Sequence, residues 1–166
     1  MHEADQSIAS FYSGWDVYQQ HLVAAISPLD SAQLDLQAAP QLWSIRMLAC
    51  HVIAARAWWF HSWMAEGGAE LGEMLDWDDG DSPRTRPAFE LVNGLQATWN
   101  MIDGCLHRWT QPDLSASFLR PIPRPSGERP RQTRQWIIWH VLEHDLHHGG
   151  EISFSLGMHG LRGIDL

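Results

Sequence analysis

Residues 133–157 read Thr-Arg-Gln-Trp-Ile-Ile-Trp-His-Val-Leu-Glu-His-Asp-Leu-His-His-Gly-Gly-Glu-Ile-Ser-Phe-Ser-Leu-Gly. Placed on a helix at about 100° per residue, His140, His144, His147, His148 and Glu151 fall within an arc of about 100°. Trp136, Ile137, Val141 and Phe154 share that side. The spacing therefore predicts a long amphipathic helix, capped by Thr133 and ending near Gly157, with its imidazoles turned toward an apolar interior. Burying several imidazoles is unfavourable unless each nitrogen finds a partner, and a metal ion supplies one directly.

Residues four apart on a helix lean the same way and sit close enough to grip one ion at about 2.0 to 2.1 Å per nitrogen, which selects His144 with His148. His51 joins them as a candidate because it falls on the expected inner face of another helix, beside the small Ala55. His140 and His147 are expected to support the ligands by hydrogen bonding. His2, His21, His61, His107 and His159 have no comparable setting and read as surface or packing residues. A competing pattern runs through the same stretch: His140-Val141-Leu142-Glu143-His144 matches the H-x-x-E-H signature of inverted zinc proteases, with Glu143 as base. Glu143 lies at the edge of the histidine arc, and the chain has little room for a protease cleft.

Three further helices follow from periodicity. Ile8, Phe11, Trp15, Tyr18, Leu22 and Ala25 form one stripe, ended at Ser27-Pro28. Ser44 caps a second helix running to about Glu66, where Gly67-Gly68 stops it, with Leu48, His51, Ala55, Trp58 and Ser62 on its inner face. The third spans about Ala88 to Arg108 and carries Val92, Leu95, Trp99, Ile102 and Leu106. Four helices with one apolar stripe each predict an all-α four-helix bundle, a single domain over residues 1–166, with two long connecting loops. The first, Leu71 to Pro87, holds Asp76, Asp78, Asp79 and Asp81 around Trp77; its spacing does not fit a calcium-binding EF-hand, and it reads as a solvated loop. The second, Ser117 to Arg131, contains Pro121, Pro123, Pro125 and Pro130 and favours turns.

Composition narrows the function. The chain has 166 residues, 45% of them hydrophobic, and a formal charge of -9 with ten tryptophans and ten histidines. That acidic balance disfavours nucleic acid and anionic membrane surfaces. No apolar run approaches the roughly 20 residues needed to cross a bilayer. With no signal-like N-terminus and two cysteines, Cys50 and Cys105, on separate predicted helices, the expectation is a cytoplasmic protein with free thiols. Trp58 and Trp136 are expected to line a pocket near the histidines.

Trp43-Ser44 followed by His51, together with His144-Asp145-Leu146-His147-His148-Gly149-Gly150-Glu151, resembles the DinB/YfiT-like superfamily of metalloenzymes. In that family a Trp-Ser or Trp-Thr helix start precedes a histidine eight residues after the Trp, and a late His-x-x-x-His segment follows. The resemblance covers essentially the whole chain. It implies a four-helix bundle, commonly a homodimer, whose ligands to a divalent ion map to His51, His144 and His148. Nickel or zinc is the expected metal, with iron or copper also compatible with imidazole ligands. Many members carry Arg-Gly-Gln after the paired histidines, where this chain has Gly149-Gly150-Glu151. The change removes an arginine and makes Glu151 a candidate fourth ligand, base or supporting acceptor.

Three imidazoles leave an ion its full charge and an open position, as in catalytic sites. The resemblance implies a transferase in which a low-molecular-weight thiol of bacillithiol, mycothiol or glutathione type, activated at the ion, attacks an electrophile. Glu151 or His147 would handle the proton. A hydrolase of a small ester, amide or lactone differs only in its nucleophile. A non-catalytic protein that binds metal or a small molecule is the third reading.

Overall fold

A computed structural model describes residues 6–79 and 85–165, which leaves His2 and Asp81 outside the described residues. The fold is mostly helical. Five α-helices, α1 (Ser13–Ile26), α2 (Ser31–Leu34), α3 (Ile45–Arg56), α4 (Ala88–Arg108) and α5 (Arg134–Met158), are accompanied by short 3-10 turns and one two-stranded hairpin. Helix α3 packs along both α4 and α5, and α1 packs along α4 and α5 on the other side.

The starts of the two site-bearing helices are set locally. Ser44 accepts a hydrogen bond from the Met47 amide and Thr133 accepts one from the Trp136 amide, so each satisfies a backbone donor that the first helical turn leaves free. The four-residue α2 is held by a reciprocal capping box between Asp30 and Gln33, a pairing visible in Asp30-Ser31-Ala32-Gln33.

Two expected faces are displaced. In the first stripe, Trp15, Tyr18, Leu22 and Ala25 are buried, but Phe11 is 83% exposed. Residues Ile8–Tyr12 form a 3-10 turn, and three residues per turn in place of 3.6 rotates Phe11 off the apolar face. After Arg56 the helix widens into a π-helical turn, Ala57–Trp63, and the chain leaves helix at Met64, with Ala65 at φ 57°. The buried face runs through Ile45, Ala49, Val52, Arg56, Phe60 and Trp63, so the expected line of Ala55, Trp58 and Ser62 lies beside it and is only half-buried. The third helix buries Leu95, Trp99, Ile102 and Leu106 as expected, while Val92 is half-buried and Leu91 takes the buried position in the first turn.

The core divides into two neighbouring clusters. One gathers Leu22, Ile26, Ile45, Val52, Leu91, Leu95, Ile152 and Leu156. The other is richer in aromatics, with Trp15, Phe60, Trp63, Trp99 and Trp109 around Ile137, Ile138 and Val141. Cys50 and Cys105 are free and buried, and burial pushes their thiols up to about 11 and about 12. The proline-rich connection begins and ends in a small antiparallel pair, Ser117–Leu119 with Arg131–Thr133, which delivers the chain into α5. Among the described residues no helix is long and apolar enough to cross a membrane.

Candidate metal centre

The buried stripe of α5 consists of Ile137, Ile138, Val141, Asp145, Gly149, Ile152, Ser155 and Leu156, and the histidine arc lies beside it. Trp136 and Phe154, read from the sequence as sharing the interior side, are 39% and 62% exposed. The imidazoles therefore sit on the flank of the core, between apolar interior and solvent. His144 and His148 are on the core side of that arc, and His147 is on its outer side, with its side chain 65% exposed.

Helix α3 brings His51 against this flank. The ring centroids of His51 lie 4.7 Å from His144 and 4.8 Å from His148, and His144 and His148 are 4.4 Å apart. Each of the three offers a ring nitrogen, and the three ligand atoms lie within 4.8 Å of one another. All three residues are half-buried. Burial, followed by the neighbouring imidazoles, pushes His144 down to about 3, and burial likewise lowers His148. These two rings are therefore neutral at physiological pH, the state in which an imidazole ligates a metal.

The hydrogen bonds around the triad give it direction. His51 Nδ1 lies 2.7 Å from Asp78 Oδ2, and His148 Nδ1 lies 2.7 Å from Glu151 Oε2. Each carboxylate holds the proton on Nδ1 and leaves Nε2 with its lone pair. That is the arrangement in which outer carboxylates orient metal-bound imidazoles. His51 Nε2 and His144 Nε2 approach to 3.0 Å. If His144 donates across that gap, its Nδ1 must carry a lone pair, yet that atom is buried with no hydrogen-bond partner among the described residues. If His144 instead carries its proton on Nδ1, as His51 and His148 do, two Nε2 lone pairs face each other at 3.0 Å and a cation between them would take up both; Nδ1 lacks a partner in either tautomer. Two nitrogens on a tetrahedral ion stand ~3.3 Å apart, so the rings need to separate only slightly. The donor set fits a divalent metal.

Asp78 was not among the candidates drawn from the sequence. Its loop is acidic throughout, and what distinguishes Asp78 is its neighbour: Trp77 packs where a side chain at Gly94 would meet it at 2.6 Å, under the Arg86 guanidinium 3.9 Å away. An aromatic residue inside an acidic loop was the available signal.

Two more buried groups went unread. Arg56 and Asp145 are both fully buried and pair at 2.7 Å. Trp15 Nε1 donates to Asp145 at 2.7 Å, and Arg56 also donates to the Leu95 carbonyl at 3.2 Å. Asp145 thus links α1, α3 and α5 one residue away from His144. The signal was a charge of each sign at core-facing positions of two helices predicted to meet.

The remaining candidates separate. His140 stacks on Trp136 at 4.7 Å and meets Trp59 edge-on at 4.8 Å, with Glu143 3.9 Å from its Nδ1. It belongs to an aromatic cluster beyond the triad, 6.4 Å from His144 between centroids. The Glu143 side chain is 63% exposed, so the pattern His140 to His144 does not assemble a protease-like pair of ligands with a base. Trp58 is half-buried, with the Arg120 guanidinium 5.7 Å from its ring. Trp43, by contrast, meets His51 edge-on at 5.0 Å and stacks near His148 at 6.2 Å. It lines a cleft of about 580 Å³ that opens beside His148 and Glu151, and neither Trp58 nor Trp136 contributes to that lining. At Gly149 an added Cβ would stand 2.0 Å from the Tyr18 hydroxyl, so α1 leaves no space there for a side chain.

A profile of the DinB superfamily matches residues 15–152, a span containing all three histidines and both carboxylates. The chain belongs to the DinB superfamily. A DinB-like protein from Bacillus cereus ATCC 10987, solved by crystallography, shares the fold with a TM-score of 0.68 over 97% of this chain and 98% of its own, at 17% sequence identity. A search of curated proteins found no match. DinB membership agrees with the histidine group as a place that could hold a metal.

Proposed function

We propose that this DinB protein is a single-domain, divalent-metal-dependent enzyme with His51, His144 and His148 as its metal ligands. The observation that carries the reading is the convergence of three imidazole nitrogens within 4.8 Å, two of the rings fixed from behind by Asp78 and Glu151. The pairwise packing of α1, α3, α4 and α5 supports a four-helix bundle of the superfamily's type. A divalent ion held by neutral ligands supplies a Lewis acid that lowers the pKa of a water or thiol placed beside it.

Within that frame the chain's own residues have distinct tasks. Asp78 and Glu151 hold protons on Nδ1 of His51 and His148 and so fix the rings' orientation. His147, exposed at the rim with Nε2 3.8 Å from Glu151 Oε1, is placed to exchange a proton with solvent. The cleft beside His148 lines one side of the centre with apolar groups. The activity we assign is transfer between a low-molecular-weight thiol and an electrophile. Hydrolysis of a small ester, amide or lactone by the same centre is the alternative, and a binding protein without turnover is the third.

Elemental analysis of the purified protein tests the centre. One equivalent of nickel, zinc or a similar ion is expected, and His144→Ala or His51→Ala should abolish it. Unchanged stoichiometry in either variant refutes the triad. Incubation with thiols plus an electrophile then separates transfer from hydrolysis, because product formed without thiol identifies a hydrolase.

A further inference from the structure

The cleft beside His148 is built for one kind of molecule. Its walls are Leu42, Trp43 and Leu48 from the approach to α3 and its first turns, and Phe154 from α5, with Gln41 and Glu151 among the polar groups. Leu42, Trp43 and Phe154 are 47%, 45% and 62% exposed, a set of large apolar groups that water covers poorly. The volume of about 580 Å³ lies in the range of small-molecule sites.

Apart from an ion on the triad, the fixed charge around it has one sign. Among the described residues, and apart from imidazoles, the only ionisable group in the lining is the Glu151 carboxylate. The chain has no lysine, and its eleven cationic residues are all arginines. Arg46 and Arg56 are buried on Asp35 and Asp145. The arginines between Arg120 and Arg134 lie toward the start of α5, and Arg134 is about 20 Å along the helix from His148. A carboxylate or phosphate entering the cleft would leave water, find no guanidinium among the described lining residues, and face Glu151 in a protein already at -9.

We infer that this cleft binds an uncharged, largely apolar small molecule, the electrophilic partner of the reaction, and turns away anionic analogues of the same shape. The inference rests on the proposed reaction centre only for the role of that molecule; the preference itself follows from the cleft.

Matched probes test it: phenylbutanol and phenylbutanesulfonate share an apolar body, and a sulfonate coordinates metals weakly. Binding is measured by calorimetry to the full chain, as purified and zinc-loaded. Phenylbutanol should bind at least about tenfold tighter than the sulfonate, the scale of a modest desolvation and repulsion penalty. Phe154→Ala should weaken it about tenfold, and Gln41→Arg, which places a cation at the exposed rim, should narrow the gap. Equal or tighter binding of the sulfonate, no binding of either probe, or indifference to Phe154→Ala overturns the inference. His144→Ala should lose metal and keep the preference. Absence of metal in the wild-type protein would therefore refute the proposed centre while leaving the cleft's selectivity to be judged by the probes alone.

Discussion

Asp145 carries more of the site's rigidity than its neighbour His144. Its carboxylate receives the Arg56 guanidinium and the Trp15 indole with no solvent exposure on either side of the ion pair. Breaking a buried pair by removing one partner leaves the other charge uncompensated, which costs about 3–5 kcal/mol. Asp145→Ala is expected to lose stability on that scale in urea denaturation. Replacing both Arg56 and Asp145 by methionine should recover much of the loss, because no unpaired charge then remains. If the single variant is as stable as the double, the pair does not hold α3 against α5 as described. Sequence reading found the histidines because their crowding on one helix face is a local pattern. It passed over Asp145 because a buried charge is recognisable only through its partner, 89 positions away in the chain.

At the scale of elements, the acidic segment after α3 has an anchor and a task. Trp77 sits over Gly94 of α4, where a Cβ would come within 2.6 Å of the indole, and this docking sets the adjacent Asp78 against His51. Losing an outer carboxylate contact typically lowers metal affinity about 10–100-fold. Trp77→Ala should therefore weaken metal binding by about tenfold in chelator competition while leaving the helical circular dichroism unchanged. Unaltered affinity would separate Asp78 from the centre. Helices α4 and α5 were legible to within a residue or so because their periodicity, and at α5 the Thr133 cap, act locally. The 3-10 turn at Ile8–Tyr12 and the π-helical turn at Ala57–Trp63 were not, since each is a change of pitch imposed by packing; the first moved Phe11 off the expected face, while Trp58 and Ser62 flank a core face that runs through Arg56, Phe60 and Trp63.

For the whole molecule, the superfamily resemblance and the all-α architecture both stand, carried by Trp43-Ser44 with His51 and by the motif around His144 and His148. What the sequence could not supply was depth. The triad lies on the flank of the core and not inside it, because the α5 stripe through Asp145 and Gly149 takes the central position against α1, and Tyr18 fills the space above Gly149. A shallow centre with an apolar cleft on one side and solvent on the other suits two reactants arriving from different directions.

The separation of His51 from His144, 93 positions along the chain, has a further consequence. An ion gripping both would act as a removable cross-link across most of the polypeptide, restricting the unfolded ensemble much as a disulfide does. Closing a loop of that length is worth about 4–5 kcal/mol in a chain-entropy picture. Saturating metal should accordingly raise the thermal midpoint of the wild-type protein by several degrees, and His51→Ala, which cuts the tie while leaving the buried Arg56–Asp145 pair in place, should abolish the gain. In this fold the ion's hold on the chain would be reversible at every turnover of metal: a chelator would loosen the protein by lengthening its free loop, without breaking a covalent bond.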